Sequence, residues 1–114
     1  LGHAVNLLRL LPWLRTARVV VWGDIDTHGF AILDRARAVL PQVESMLMDS
    51  STLLMHRALW VDEPQPFVGP ALDRLRDSES AVYEGLVKGT WGKGVRLEQE
   101  RLPWPLVLAS IRAL

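Results

Sequence analysis

Two carboxylates, Asp24 and Asp26, follow an apolar run and precede a glycine in Val19-Val20-Val21-Trp22-Gly23-Asp24-Ile25-Asp26-Thr27-His28-Gly29-Phe30. Side chains on an extended backbone alternate faces, so Asp24 and Asp26 point the same way, with Cα atoms about 6–7 Å apart. Carboxylates so held suit a hard divalent cation such as Mg²⁺, which takes oxygen ligands and keeps several waters. Open α/β sheets bind ligands at the carboxyl ends of their strands, where this pair falls. The competing reading is turn chemistry, since Asp caps helices and tolerates turns. A strand, two alternating acids, a glycine and a helix together favour the cation.

Other residues could serve that site. His28 can ligate a metal, orient a phosphate or hydrogen-bond the loop; one His without a second at ligand spacing is a poor zinc signal. Gly29 lets the helix start approach closely and would leave its N–H groups free for an anion. Asp49 ends the next apolar run and reads either as a supporting acid or as a helix N-cap. Glu98 and Glu100 alternate within a possible strand and could share a face; the alternative is a solvated edge paired with Arg96 and Arg101. Lys88, Lys93 and Arg96 flank a Gly-rich loop around Trp91 and are candidates for a DNA backbone. Trp13, Trp22, Trp60 and Trp104 read as core rather than as base-stacking platforms.

The elements that must position these groups follow from hydrophobic periodicity. Residues 3–14 are apolar on more than half a helical circumference, which predicts a buried helix. Residues 18–23 form a β-branched run of the kind found in covered parallel strands. Residues 28–40 repeat Phe30, Leu33, Ala36, Val39 and Leu40 at helical spacing, with Asp34, Arg35 and Arg37 elsewhere on the wheel. Thr27 is the expected N-cap and Pro41 the stop. Residues 43–48 predict a second strand, and Ser50-Ser51-Thr52 the cap of a helix through Leu59. The unit is helix, strand, helix, strand, helix, with right-handed parallel crossovers. After Asp62-Glu63-Pro64-Gln65-Pro66 regular structure breaks. A short helix at Leu72 and Leu75, a helix from Ser78 to near Gly89 and a final helix after Pro103 complete the chain.

Bulk properties agree with one core. The chain has 114 residues, 49% hydrophobic and 23% charged, with zero formal net charge and no cysteine. Neither a disulfide framework nor a thiolate metal site is available. No run reaches a membrane span of roughly 18 apolar residues, and the start lacks a signal peptide's basic region. A cytoplasmic protein is expected. Neutral charge argues against strong DNA binding by this piece alone. The absence of an initiator Met predicts a C-terminal fragment of something larger, with exposed strand edge that makes a homodimer plausible.

Trp22-Gly23-Asp24-Ile25-Asp26-Thr27-His28-Gly29-Phe30, Leu47-Met48-Asp49, Trp60-Val61-Asp62-Glu63-Pro64 and Arg96-Leu97-Glu98-Gln99-Glu100-Arg101 resemble the C-terminal domain of JetD, the nuclease subunit of the Wadjet anti-plasmid system. The resemblance implies a toprim fold, related to that of the topoisomerase VI A subunit. The expected architecture is α/β: a partial toprim-like parallel sheet flanked by helices over about residues 1–62, then a mainly helical tail over about 63–114. It also implies Mg²⁺ (or Mn²⁺), held by Asp24 and Asp26, for DNA cleavage in plasmid defence. The implied partners are DNA and the SMC-like ATPase complex of that system. The acid/base Glu of toprim enzymes is expected upstream of Leu1, so this chain would carry half a site, bind metal weakly and cut nothing alone. The only tyrosine, Tyr83, reads as core, which favours hydrolysis by water. The alternative function is a non-catalytic toprim-like module for interaction or oligomerisation.

Overall fold

A computed structural model of the protein describes residues 12–114. Most of the helix expected over 3–14 therefore lies outside the described residues. Its last part is a 3-10 turn, Pro12–Thr16. Strand β1 (Val20–Val21) pairs in parallel with β2 (Glu44–Ser45). The ladder is lengthened by Glu44 N–H to Val19 O (3.0 Å) and Met46 N–H to Val21 O (2.9 Å). Between the strands runs helix α1 (Thr27–Val39), and after β2 comes the short α2 (Ser50–Met55). The predicted parallel crossover is thus present, with shorter strands than the apolar runs suggest. The chain is mixed α/β.

The second half is tied to this unit by an antiparallel pair. Strand β3 (Val61–Asp62) pairs with β4 (Val95–Arg96), and Ile25 bridges Leu97. Between them lies helix α3 (Asp77–Lys88), which ends at Gly89 with φ of 73°, a left-handed position where glycine carries no steric penalty. A 3-10 turn (Gln99–Arg101) follows β4, so Glu98 and Glu100 do not alternate on a strand. Helix α4 (Trp104–Arg112) closes the chain after Pro103. The helix expected at Leu72 and Leu75 is absent. Arg74 gives its N–H to Asp34 Oδ1 (2.7 Å) and its carbonyl to Arg37 Nη1 (2.9 Å), so α1 takes the backbone groups a helical turn would use.

The core has the predicted α1 face at its centre. Phe30, Leu33, Ala36 and Leu40 are buried there, with Ile25, Val43, Met48, Leu53, Val82, Leu97 and Val107. Asp34 and Arg37 of the same helix, which lie off its apolar stripe, are buried too. Each has a partner that makes burial tolerable. Asp34 meets Arg74 at 3.6 Å. Arg37 grips Glu79 with two guanidinium nitrogens, one at 2.9 Å, and also donates to Val43 O (2.9 Å). Ser45 Oγ and Arg76 N–H (2.8 Å) complete the shell of Glu79. Burial raises the Glu79 carboxyl, but these donors outweigh it and hold the group down at about 2. The tryptophans divide. Trp22 and Trp60 pack against the core, whereas Trp13 and Trp104 are exposed, against expectation. Trp91 lies on α3 so closely that a Cβ on Gly85 would stand 2.5 Å from its ring.

Candidate functional site

The carboxyl end of β1, the first turn of α1 and the segment after β4 meet around a cavity of about 230 Å³ lined by Asp24, Asp26, His28, Gly29, Arg96 and Gln99. Both acids line this cavity, and their surroundings differ. Asp26 is buried and is the N-cap of α1, displacing Thr27 from the role the sequence suggested. Its Oδ1 accepts from Gly29 N–H at 2.6 Å, and its Oδ2 receives Arg96 Nε at 2.7 Å. Asp24 is half-buried, and its Oδ1 accepts from Gln99 N–H at 2.8 Å. Its Oδ2 has no hydrogen-bond partner among the described residues. Burial pushes the Asp24 carboxyl above its usual range, and the charges of Asp26 and Glu100 add to this; the Gln99 N–H and the Arg96 guanidinium oppose it.

Gly29 permits this convergence. A Cβ there would lie 2.0 Å from the Asp24 carbonyl oxygen and 3.2 Å from Asp26 Oδ1. The first-turn N–H groups are not free for an anion, however. Gly29 gives its own to Asp26, while Thr27 N–H (3.2 Å) and His28 N–H (3.3 Å) go to Glu63. Glu63 is the residue that sequence reasoning missed. It is 3% exposed, accepts from Thr27 Oγ1 at 2.7 Å and stands 3.9 Å from Arg96 Nη2. An anion at a helix N-terminus is stabilised by the unpaired N–H groups and the helix dipole, and Glu63 supplies it internally. Its only sequence signal is an acid between Val61-Asp62 and Pro64, which turn chemistry explains equally well.

The remaining candidates separate from the two acids. His28 hydrogen-bonds the loop, with Nε2 2.7 Å from Gln65 O, and meets Phe67 edge-on at 5.9 Å. Asp49 caps α2 through Thr52 N–H (3.1 Å) and does not line the cavity. Alanine at Asp49 is expected to cost about 1 kcal/mol of stability, read by denaturant unfolding, and to leave any cleavage rate unchanged. Glu98 pairs with Arg101 at 3.4 Å, and Glu100 is exposed. Lys88 and Lys93 line a second cavity, of about 550 Å³, together with Phe67 and Val68. Arg96 instead belongs to the first cavity and to Asp26.

One further atom faces the question of a cation. Gln99 Oε1 is buried and has no hydrogen-bond partner among the described residues. An orphaned amide oxygen costs free energy unless something fills its lone pairs. Gln99 and Asp24 line the same cavity, and amide and carboxylate oxygens are donors that fit Mg²⁺ or Mn²⁺ rather than a soft metal. Among the described residues no group of three or more His, Cys, Asp or Glu is arranged to hold a metal, so most of the coordination shell would be water. Among those residues, too, no helix is long and apolar enough to cross a membrane.

No curated protein matches the chain. Residues 1–111 match the family described as Wadjet protein JetD, C-terminal. The match spans nearly the whole chain and includes all four motifs noted above, so the protein belongs to the Wadjet JetD C-terminal family and takes part in the Wadjet defence system.

Proposed function

We propose that this domain supplies the cation-holding carboxylates for Mg²⁺- or Mn²⁺-dependent cleavage of plasmid DNA, as a toprim-type nuclease of the Wadjet system. It would act in the cytoplasm with the system's SMC-like ATPase complex. The observation that carries the reading is Asp24: a half-buried carboxylate with one oxygen free of hydrogen bonds among the described residues, in the cavity that Gln99, with its orphaned amide oxygen, also lines. Asp24 and Gln99 would hold the cation, with Asp26 beside them. When bound, the cation polarises a phosphate oxygen and stabilises charge on the attacking or leaving oxygen. The chain's own residues do the positioning. The Gln99 N–H fixes the Asp24 carboxylate, Gly29 brings α1 against it, and Asp26 locks the first turn of that helix. Tyr83 is half-buried with its ring edge-on to Phe30 at 6.2 Å, and its burial raises the hydroxyl pKa. This supports water, rather than this tyrosine, as the nucleophile. Lys88 and Lys93 would meet the DNA backbone.

Chelation of divalent cations is expected to stop plasmid cleavage by the full-length protein with its partner complex, and Mg²⁺ or Mn²⁺ to restore it. Cleavage that persists without divalent cations contradicts the reading.

A specific observation favours a second reading. Both Asp26 oxygens are satisfied internally, by a helix cap and an ion pair, as they would be in a domain that keeps the shape and not the chemistry. In that case the domain is an interaction module, and loss of the Asp24 charge leaves cleavage intact.

A further inference from the structure

Two buried carboxylates converge on the Arg96 guanidinium, and a third, Asp24, lines the same cavity. Arg96 reaches Asp26 Oδ2 with Nε at 2.7 Å and stands 3.9 Å from Glu63 Oε2. Asp26 and Glu63 are almost fully buried, with side chains 3% and 1% exposed, whereas the Arg96 side chain is 27% exposed. The acids are therefore fixed, and the guanidinium sits at the solvent side of the cluster. Glu63 has other donors in Thr27 and His28, so it does not depend on Arg96. Asp26 Oδ1 is likewise held by Gly29. The Oδ2 of Asp26 differs: Arg96 is its sole partner among the described residues.

From this we infer that Arg96 is an internal counterion that occupies the cation's place at Asp26 and must release Oδ2 before a divalent ion engages both acids. The inference rests on the metal-site reading above. Three carboxylates and one guanidinium leave an excess of two negative charges, which attracts a divalent cation into the cavity. A long, partly exposed side chain anchored on β4 can leave while the acids stay where the helix start holds them. Metal binding then costs the Arg96–Asp26 contact, and the native residue weakens the site's affinity. A purely structural ion pair behaves in the opposite way, because its loss disorders the acids and lowers metal affinity.

The test is direct binding of Mn²⁺ to the full-length protein, followed by the paramagnetic signal of the free ion, for wild type, Arg96→Gln, Arg96→Lys and Asp24→Asn. Arg96→Gln is expected to bind Mn²⁺ about tenfold more tightly than wild type, equivalent to about 1.4 kcal/mol. Its thermal midpoint should also rise with Mn²⁺ more than that of wild type, because the ion replaces the missing countercharge. Where Arg96→Gln folds only with Mn²⁺ present, that dependence is the same result in stronger form. Where it does not fold at all, Arg96→Lys decides. It keeps the charge without the planar fork and should bind more tightly by a smaller factor. Equal or weaker binding by the folded Arg96 variant overturns the counterion role while leaving the metal site standing. Equal binding by wild type and Asp24→Asn, or none by either, overturns the metal site and the inference together.

Discussion

Asparagine at Asp24 is expected to lower Mg²⁺-dependent plasmid cleavage by the full-length protein about 100-fold or more, with the fold intact. The substitution keeps the side-chain size and the oxygen that accepts the Gln99 N–H. It removes only the charge. Charge stabilisation aimed at the transition state is worth about 10²–10³ in rate per group, and a cation held by too few carboxylates loses that contribution. Stability should change by less than about 0.5 kcal/mol, and in the favourable direction, because burial already disfavours the Asp24 charge. Asp26 is a poorer probe of chemistry. Its loss removes the α1 cap and the hydrogen-bonded partner of Arg96, which keeps only the longer contact to Glu63, so activity and stability would fall together. Cleavage that survives Asp24→Asn would leave the interaction-module reading in possession of the field.

The largest expected effect on stability lies away from the cavity, at the Arg37–Glu79 pair. Both side chains are 6% exposed. Replacing Arg37 by Met leaves a buried carboxylate without its main partner and is expected to cost about 3–5 kcal/mol. That is a large part of the roughly 5–15 kcal/mol that holds a typical domain together. The readout is the urea midpoint at unchanged slope. Combining Arg37→Met with Glu79→Leu should recover much of the loss, because no charge is then left buried. The pair also predicts a pH dependence. The Glu79 carboxyl is lowered from 4.5 to about 2, so its stabilisation is complete above about pH 5 and is lost as pH falls through 4.5 towards 2. The shift corresponds to about 3 kcal/mol. Glu79→Gln should flatten the stability profile over that acid range and lower the plateau above it.

Which features were legible in the sequence follows from what each depends on. The α1 face was readable because Phe30, Leu33, Ala36 and Leu40 recur at the helical period and all four are buried. The parallel pairing of β1 and β2 was readable because a β-branched run precedes that helix and a second strand-like segment, residues 43–48, follows it. Asp24 and Asp26 were readable as a pair because alternation alone predicts a shared face for them. The rest depends on contacts distant in sequence. Arg37 meets Glu79 across 42 residues, Arg96 meets Asp26 across 70, and Gln99 meets Asp24 across 75. Nothing local marks these partners, so Asp34 and Arg37 read only as residues off the apolar stripe and Arg96 as a DNA contact. Glu63 was hidden for the same reason, since its role exists only once the start of α1 is folded against it. Local cap chemistry misled by one residue at Thr27, because Asp26, immediately before it, accepts the helix N–H group; at α2 the N-cap reading of Asp49 holds, and Ser50-Ser51-Thr52 is not the cap.

The central claim is that Asp24 meets a divalent cation. Its most direct test is a crystal structure of the full-length protein soaked in Mn²⁺, with the anomalous signal of the metal mapped. The account predicts a peak bonded to an Asp24 carboxylate oxygen, at about the 2.0–2.2 Å expected for a small hard cation, with the Arg96 guanidinium withdrawn from Asp26. A cavity without metal, with Arg96 still on Asp26 in a protein that cuts plasmid DNA under the same conditions, would contradict it.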